Sequence, residues 1–174
     1  MKKLNVFISL FIVGAVIGFV AYSANRKTNL AVDAISYNNA IVEEQNLLTQ
    51  KFLVFNTKLS TDTLTEEEVI DEHNKLFEGA QVALNNIESF DTAEGGEQFQ
   101  KAAEDLVSFY INILDNEYRD IISAAYADEV TIADADEIEV MIDNITTEEN
   151  QLLQNFVDQQ KQFADQSGFE LQES

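Results

Sequence analysis

A chain of 174 residues with an apolar share of 45% is long enough for one domain with a continuous core, and it requires no second domain. Its 32 acidic against 10 basic residues give a formal charge of -22, which repels phosphate backbones and argues against nucleic acid as a partner of the folded part. Cysteine is absent, which excludes a disulfide framework, thiol catalysis, thioether-linked haem and a lipidated cysteine; proline is absent and glycine limited to six, so long helices meet few breakers.

Lys2 and Lys3 precede an apolar run from about Val6 to Ala24, the pattern of an export or membrane-insertion signal. Residues 1–24 are therefore expected to be a signal peptide, with Ala21 and Ser23 placing cleavage after Ser23, or an uncleaved anchor helix of about the 20 residues that span hydrocarbon. Arg26 and Lys27 balance the two leading lysines, so charge does not choose between the outcomes, and both place the domain outside the cytoplasm. Gly14, Gly18 and Ala21 share a face through which an anchor would pair as a homodimer. Without Lys2 and Lys3 the remainder has 8 basic and 32 acidic residues, a balance of -24 that reads as a solvated surface.

Steps of three and four link Ala31, Ala34, Asn38, Ile41, Gln45, Leu48, Phe52, Phe55 and Leu59 into one stripe on a first helix running from near Thr28 to Leu59. After the polar turn Ser60–Thr63, Thr65 with Glu68 forms a capping-box pattern that starts a second helix, with Val69, His73, Leu76, Ala80, Ala83, Ile87 and Phe90 on its stripe. Gly95 and Gly96 mark the next turn, and a third helix from about Glu97 carries Phe99, Ala103, Leu106, Tyr110, Ile113, Leu114, Ile121 and Ala124 before fading near Ala127. A fourth helix starts at Thr131 or Asp134 and carries Ile138, Ile142, Ile145, Leu152, Phe156 and Phe163 to Gly168; Thr146 with Glu149 offers a possible break near Asn144. Short connections predict an all-α, antiparallel up-down-up-down four-helix bundle over residues 28–168, preceded by the leader and followed by a flexible tail at 169–174.

The single histidine, His73, is the first residue to test as a metal ligand, but Ile70 stands where a Glu-x-x-His motif needs its glutamate and there is no second histidine. It reads as a core histidine. Asp134, Asp136, Glu137 and Glu139 lack the glycine and spacing of a calcium loop and suit the first turn of a helix through its dipole. No nucleophile elbow or phosphate-cradling glycine loop occurs, so no catalytic residue, metal or cofactor is indicated. What remains is a set of polar residues on apolar stripes: Asn38 and Gln45 with the adjacent Tyr37, for which His73, Tyr110, Glu117 and Glu149 are candidate partners. Such a set either fixes helix register or holds a small polar ligand, the candidate binding residues being Tyr37, Asn38, Gln45, His73, Tyr110 and Glu117.

The leader followed by Tyr37-Asn38-Asn39-Ala40-Ile41-Val42-Glu43-Glu44-Gln45-Asn46 resembles the first helix of uncharacterised exported or surface-attached helical-bundle proteins of Gram-negative bacteria, over about the first 60 residues. The resemblance implies export and a helical bundle, and marks Tyr37, Asn38 and Gln45; the chain departs from lipid-anchored members in having no cysteine after the leader. The expected role is a non-enzymatic interaction or structural module of the cell envelope with an envelope protein as partner. The alternative is a periplasmic sensor-like domain holding a small ligand.

Overall fold

The computed structural model describes residues 19–22, 29–60, 64–129 and 131–173. The expected leader at 1–18, the cleavage point after Ser23 and the Gly14–Gly18 pair lie outside the described residues. The chain is an all-helical bundle of α1 (Asn29–Ser60), α2 (Glu66–Ser89), α3 (Glu97–Asp115), α4 (Glu117–Tyr126) and α5 (Ile132–Ser167). The helices pack around one core built from the anticipated stripes.

The helix starts follow from their caps. Thr65 accepts from the Glu68 backbone N–H at 3.3 Å while the Glu68 carboxylate accepts from the Thr65 N–H at 2.8 Å, closing a capping box. Thr131 and Asp134, the two alternatives for the last helix, are halves of one such box: Thr131 is the cap and Asp134 its third helical residue. These bonds to Thr65 and Thr131 hold the Glu68 and Asp134 carboxyls below their ordinary range. α5 runs unbroken through Asn144, because Thr146 and Thr147 turn their hydroxyls back onto the carbonyls of Ile142 and Asp143 and so need no cap.

Two expectations are corrected. The third helix is not continuous: it stops at Asp115, turns at Asn116 (φ -116°, ψ -84°) and resumes at Glu117. Asn116 is suited to that turn, since its side-chain amide donates to the Asn112 carbonyl at 2.9 Å, a local bond that competes with helix propagation. The tail does not fray. Gly168 ends α5 in the left-handed region (φ 73°), Phe169 is buried edge-on to Phe163, and Glu170–Glu173 form a strand, β2. Its partner is β1, Phe19–Tyr22, antiparallel with Phe19 opposite Glu173 and Tyr22 opposite Glu170. Valine and two aromatics suit a strand there, and β1 lies on α1.

Candidate functional site

The predicted polar residues of α1 enter the core. Asn38 and Gln45 are 0% exposed, and Tyr37 is buried beside them. Each meets a different partner, and the partners succeed one another along the bundle.

At the end where α1 and α3 both begin, the Tyr37 hydroxyl donates to Gln100 Oε1 at 2.9 Å; that oxygen also receives Thr92 Oγ1 at 2.6 Å, and the Gln100 amide donates to the Ile87 carbonyl at 2.7 Å. One side chain thus ties α1, α2 and the turn before α3. Gly96 is required here by space, because a Cβ at that position would stand 2.7 Å from Tyr37 Cε1. Burial drives the Tyr37 hydroxyl above tyrosine's usual range. Edge-on contacts of Tyr37 with Phe99 and Phe163, and stacking of Phe99 on Phe163, enclose this layer in aromatic surface.

Next to it, Gln160 of α5, also 0% exposed, donates to Asn38 Oδ1 at 2.8 Å, joining the start of α1 to the end of α5. Two turns further, about 10 Å along the axis, Gln45 donates to the Ala103 carbonyl of α3 at 3.1 Å. Gln45 Oε1 and Thr49 Oγ1, one turn on, are buried without hydrogen-bond partners among the described residues.

The next pair is charged. Tyr110 of α3 donates to Glu149 Oε1 of α5 at 2.9 Å, and both residues are buried. Burial first and the Glu149 carboxylate second push the Tyr110 hydroxyl well above its usual range. Tyr118 of α4, raised chiefly by burial, donates to Asn56 Oδ1 of α1 at 3.1 Å. Phe52 packs on both tyrosines and Phe55 on Tyr118 and His73, a second aromatic cluster.

His73 closes the series. Its Nε2 donates to the Leu114 carbonyl at 2.7 Å, in the last turn of α3, where carbonyls lose their in-helix donors. The histidine therefore serves the interruption at Asn116. Glu117 stands apart from the other candidates: it borders a surface groove of about 300 Å³ with Phe109, Asn112, Glu137 and Glu148, and its Oε2 is buried without a partner among the described residues. Five candidates thus belong to core layers spread over the length of α1, and they do not converge on one cavity; Glu117 joins none of the layers. Gln100, Gln160, Asn56 and Tyr118 complete the layers and were not among the candidates. Their signal was present, since Gln160 lies four after Phe156 and three before Phe163 on the α5 stripe, and Asn56 lies four after Phe52.

A second concavity, of about 730 Å³, lies at the Tyr37 end and is lined by Asp33, Tyr37, Asp91, Thr92, Glu94 and Gln166 among others. Among the described residues no group of three or more histidines and carboxylates is placed to hold a metal ion, and no helix is long and apolar enough to cross a membrane. Compared with protein-family models, curated proteins and solved structures, the chain matches none.

Proposed function

We propose that the chain is a non-enzymatic interaction module of the cell envelope, exported or membrane-anchored through the apolar segment that follows Lys2 and Lys3, and built as an up-down-up-down bundle. The observation that carries this reading is that the buried polar side chains meet one another and backbone carbonyls inside the core, layer by layer. A core whose polar side chains are bound mainly within it specifies register, and leaves recognition to the surface. The antiparallel order is supported by Lys58 near the end of α1 with Glu72 near the start of α2, by Glu44 in the middle of α1 with Asn86 near the end of α2, and by Asn38 in the first third of α1 with Gln160 near the end of α5. Export is supported by Lys2, Lys3 and the apolar run behind them, and by the resemblance to exported helical-bundle proteins of Gram-negative bacteria.

Intact mass with fractionation in a Gram-negative host tests this. A mass beginning near Ala24 in the periplasm, or the full-length mass in the membrane, agrees with it; full-length protein in the cytoplasm overturns export. The second reading, a sensor-like domain for a small cationic or polar ligand, is favoured by the concavity at the Tyr37 end with its three carboxylates. It requires a ligand that raises the unfolding midpoint in a concentration-dependent way.

A further inference from the structure

The outer face of α1 carries a pattern unconnected with its own core. Glu43, Leu47, Gln50, Lys51, Val54 and Lys58 follow one another at steps of four, three, one, three and four, the same read in either direction. Leu47 and Val54 are 46% and 53% exposed, large for aliphatic side chains in so polar a surface. Helical periodicity turns Leu47 about 100° from Leu48 and Val54 about 100° from Phe55, so they lie on the flank of α1 beside its core side.

The palindrome is one of type as well as spacing. Leu47 and Val54 are equivalent under a two-fold axis passing between Gln50 and Lys51, and Glu43 is equivalent to Lys58. If a second α1 lies antiparallel on the first, each leucine meets a valine and each glutamate a lysine, twice per interface.

Electrostatics also singles out this face. A chain of charge -22 repels its own copies, so association requires a place where the local balance is different. Of the eight basic residues beyond the leader, Lys51 and Lys75 line a groove of about 410 Å³ with Leu47, Val54 and Glu72, and Lys58 stands near it; Lys58 and Lys75 pair with Glu72 and Asp71, so three cations meet two anions there, against the acidic excess elsewhere. Lys51 lies back over Gly79 of α2, its Nζ 3.0 Å from where a Cβ would be, which clears the line of the axis. Lys58 holds Glu72 of its own chain, so in the interface the Glu43 carboxylate of the second copy joins an existing pair.

We propose that this face is the contact of a two-fold homodimer, α1 against α1 of a second copy, with Leu47 and Val54 at its centre and Glu43–Lys58 pairs at both ends. The proposal rests on the reading of the chain as an interaction module and names its partner. An unrelated partner would place no demand on the palindrome.

The chain has no cysteine, so a single introduced thiol reports the geometry directly. Gln50→Cys in the full-length protein, beside the axis, is expected to give an interchain disulfide on mild oxidation, at least about tenfold faster than Glu139→Cys on the exposed side of α5. Glu43→Lys and Lys58→Glu are each expected to raise the dimer dissociation constant about tenfold or more, since each places two like-charge pairs in the interface, and the double exchange is expected to restore it. Circular dichroism confirms that each variant is folded. Equal oxidation of the two cysteine variants, or charge reversals without effect on association, overturns the proposal. A dimer held through the leader alone falls in that class, because it would not distinguish position 50 from position 139. A folded monomer that is still exported leaves the module reading in place with a different partner, whereas a cytoplasmic protein removes that reading whatever its oligomeric state.

Discussion

Removing the Tyr110 hydroxyl is the sharpest perturbation of the core. Tyr110 is fully buried, and its hydroxyl stands 2.9 Å from a carboxylate oxygen of Glu149, itself 3% exposed. Tyr110→Phe keeps the ring and its contacts with Phe52 and Phe109 while deleting one donor to that carboxylate. A hydrogen bond to a charged group contributes about 1.5–3 kcal/mol, and a buried acceptor deprived of its donor retains its desolvation cost. The expected loss is about 2 kcal/mol, and for a domain of this size that lowers the midpoint by about 4–8 °C. Urea unfolding followed by circular dichroism measures it, and a cycle with Glu149→Gln apportions it, since the effect of Tyr110→Phe must shrink when the charge is already gone. A loss below about 0.5 kcal/mol, or one of equal size in both backgrounds, would refute the claim that this pair ties α3 to α5.

Four further outcomes follow from the same geometry. Asn38→Ala and Gln160→Ala should each cost about 1–3 kcal/mol, with the double variant costing clearly less than the sum, as chemical unfolding of the four proteins would reveal. Phe169→Ala should cost about 3 kcal/mol by emptying a buried site against Phe163, whereas a frayed tail predicts no change in the melting curve. Gly168→Ala should cost about 1–2 kcal/mol through its left-handed φ of 73° alone, since nothing lies within 4 Å of the added carbon; full stability by urea titration would show the backbone relaxing there. The tyrosines set an alkaline limit. Because Tyr110 and Tyr118 ionise far less readily when folded, their contribution is complete below the unfolded value near 10 and is lost as pH rises above it, each at about 1.4 kcal/mol per pH unit. Urea midpoints from pH 8 to 12 should be level at first and then fall steeply, with the fall reduced in Tyr118→Phe.

Much of the architecture is carried by spacing alone. The stripes of α1 from Ala34 to Leu59 and of α2 from Val69 to Ile87, including Asn38, Gln45 and His73, are buried as their periodicity requires, and Thr65–Glu68 caps α2 as its pattern states. The break at Asn116 was hidden because Tyr110, Ile113, Leu114 and Ile121 keep helical spacing across it, so the apolar pattern sees no interruption. The partner of His73 was hidden with it, since Leu114 offers a backbone carbonyl and any residue has one. Gln100 and Gln160 were hidden for another reason: Phe99, Ala103 and Leu106 on α3, and Phe156 and Phe163 on α5, sustain the helical spacing without them. The β1–β2 ribbon pairs residues near opposite ends of the chain, a contact that no local pattern encodes.

In the proposed reading the polar residues of α1 hold the core in register and are not a pocket awaiting a ligand. Its most direct test is a thermal-shift series with amino acids, amines and divalent ions on the native chain and on Gln45→Ala. Gln45→Ala is expected to melt lower than the native chain, by about the cost of one buried hydrogen bond, and any ligand or ionic-strength effect is expected to be the same in both proteins. A ligand that raises the native midpoint with increasing concentration, and loses that effect in Gln45→Ala, would contradict that reading.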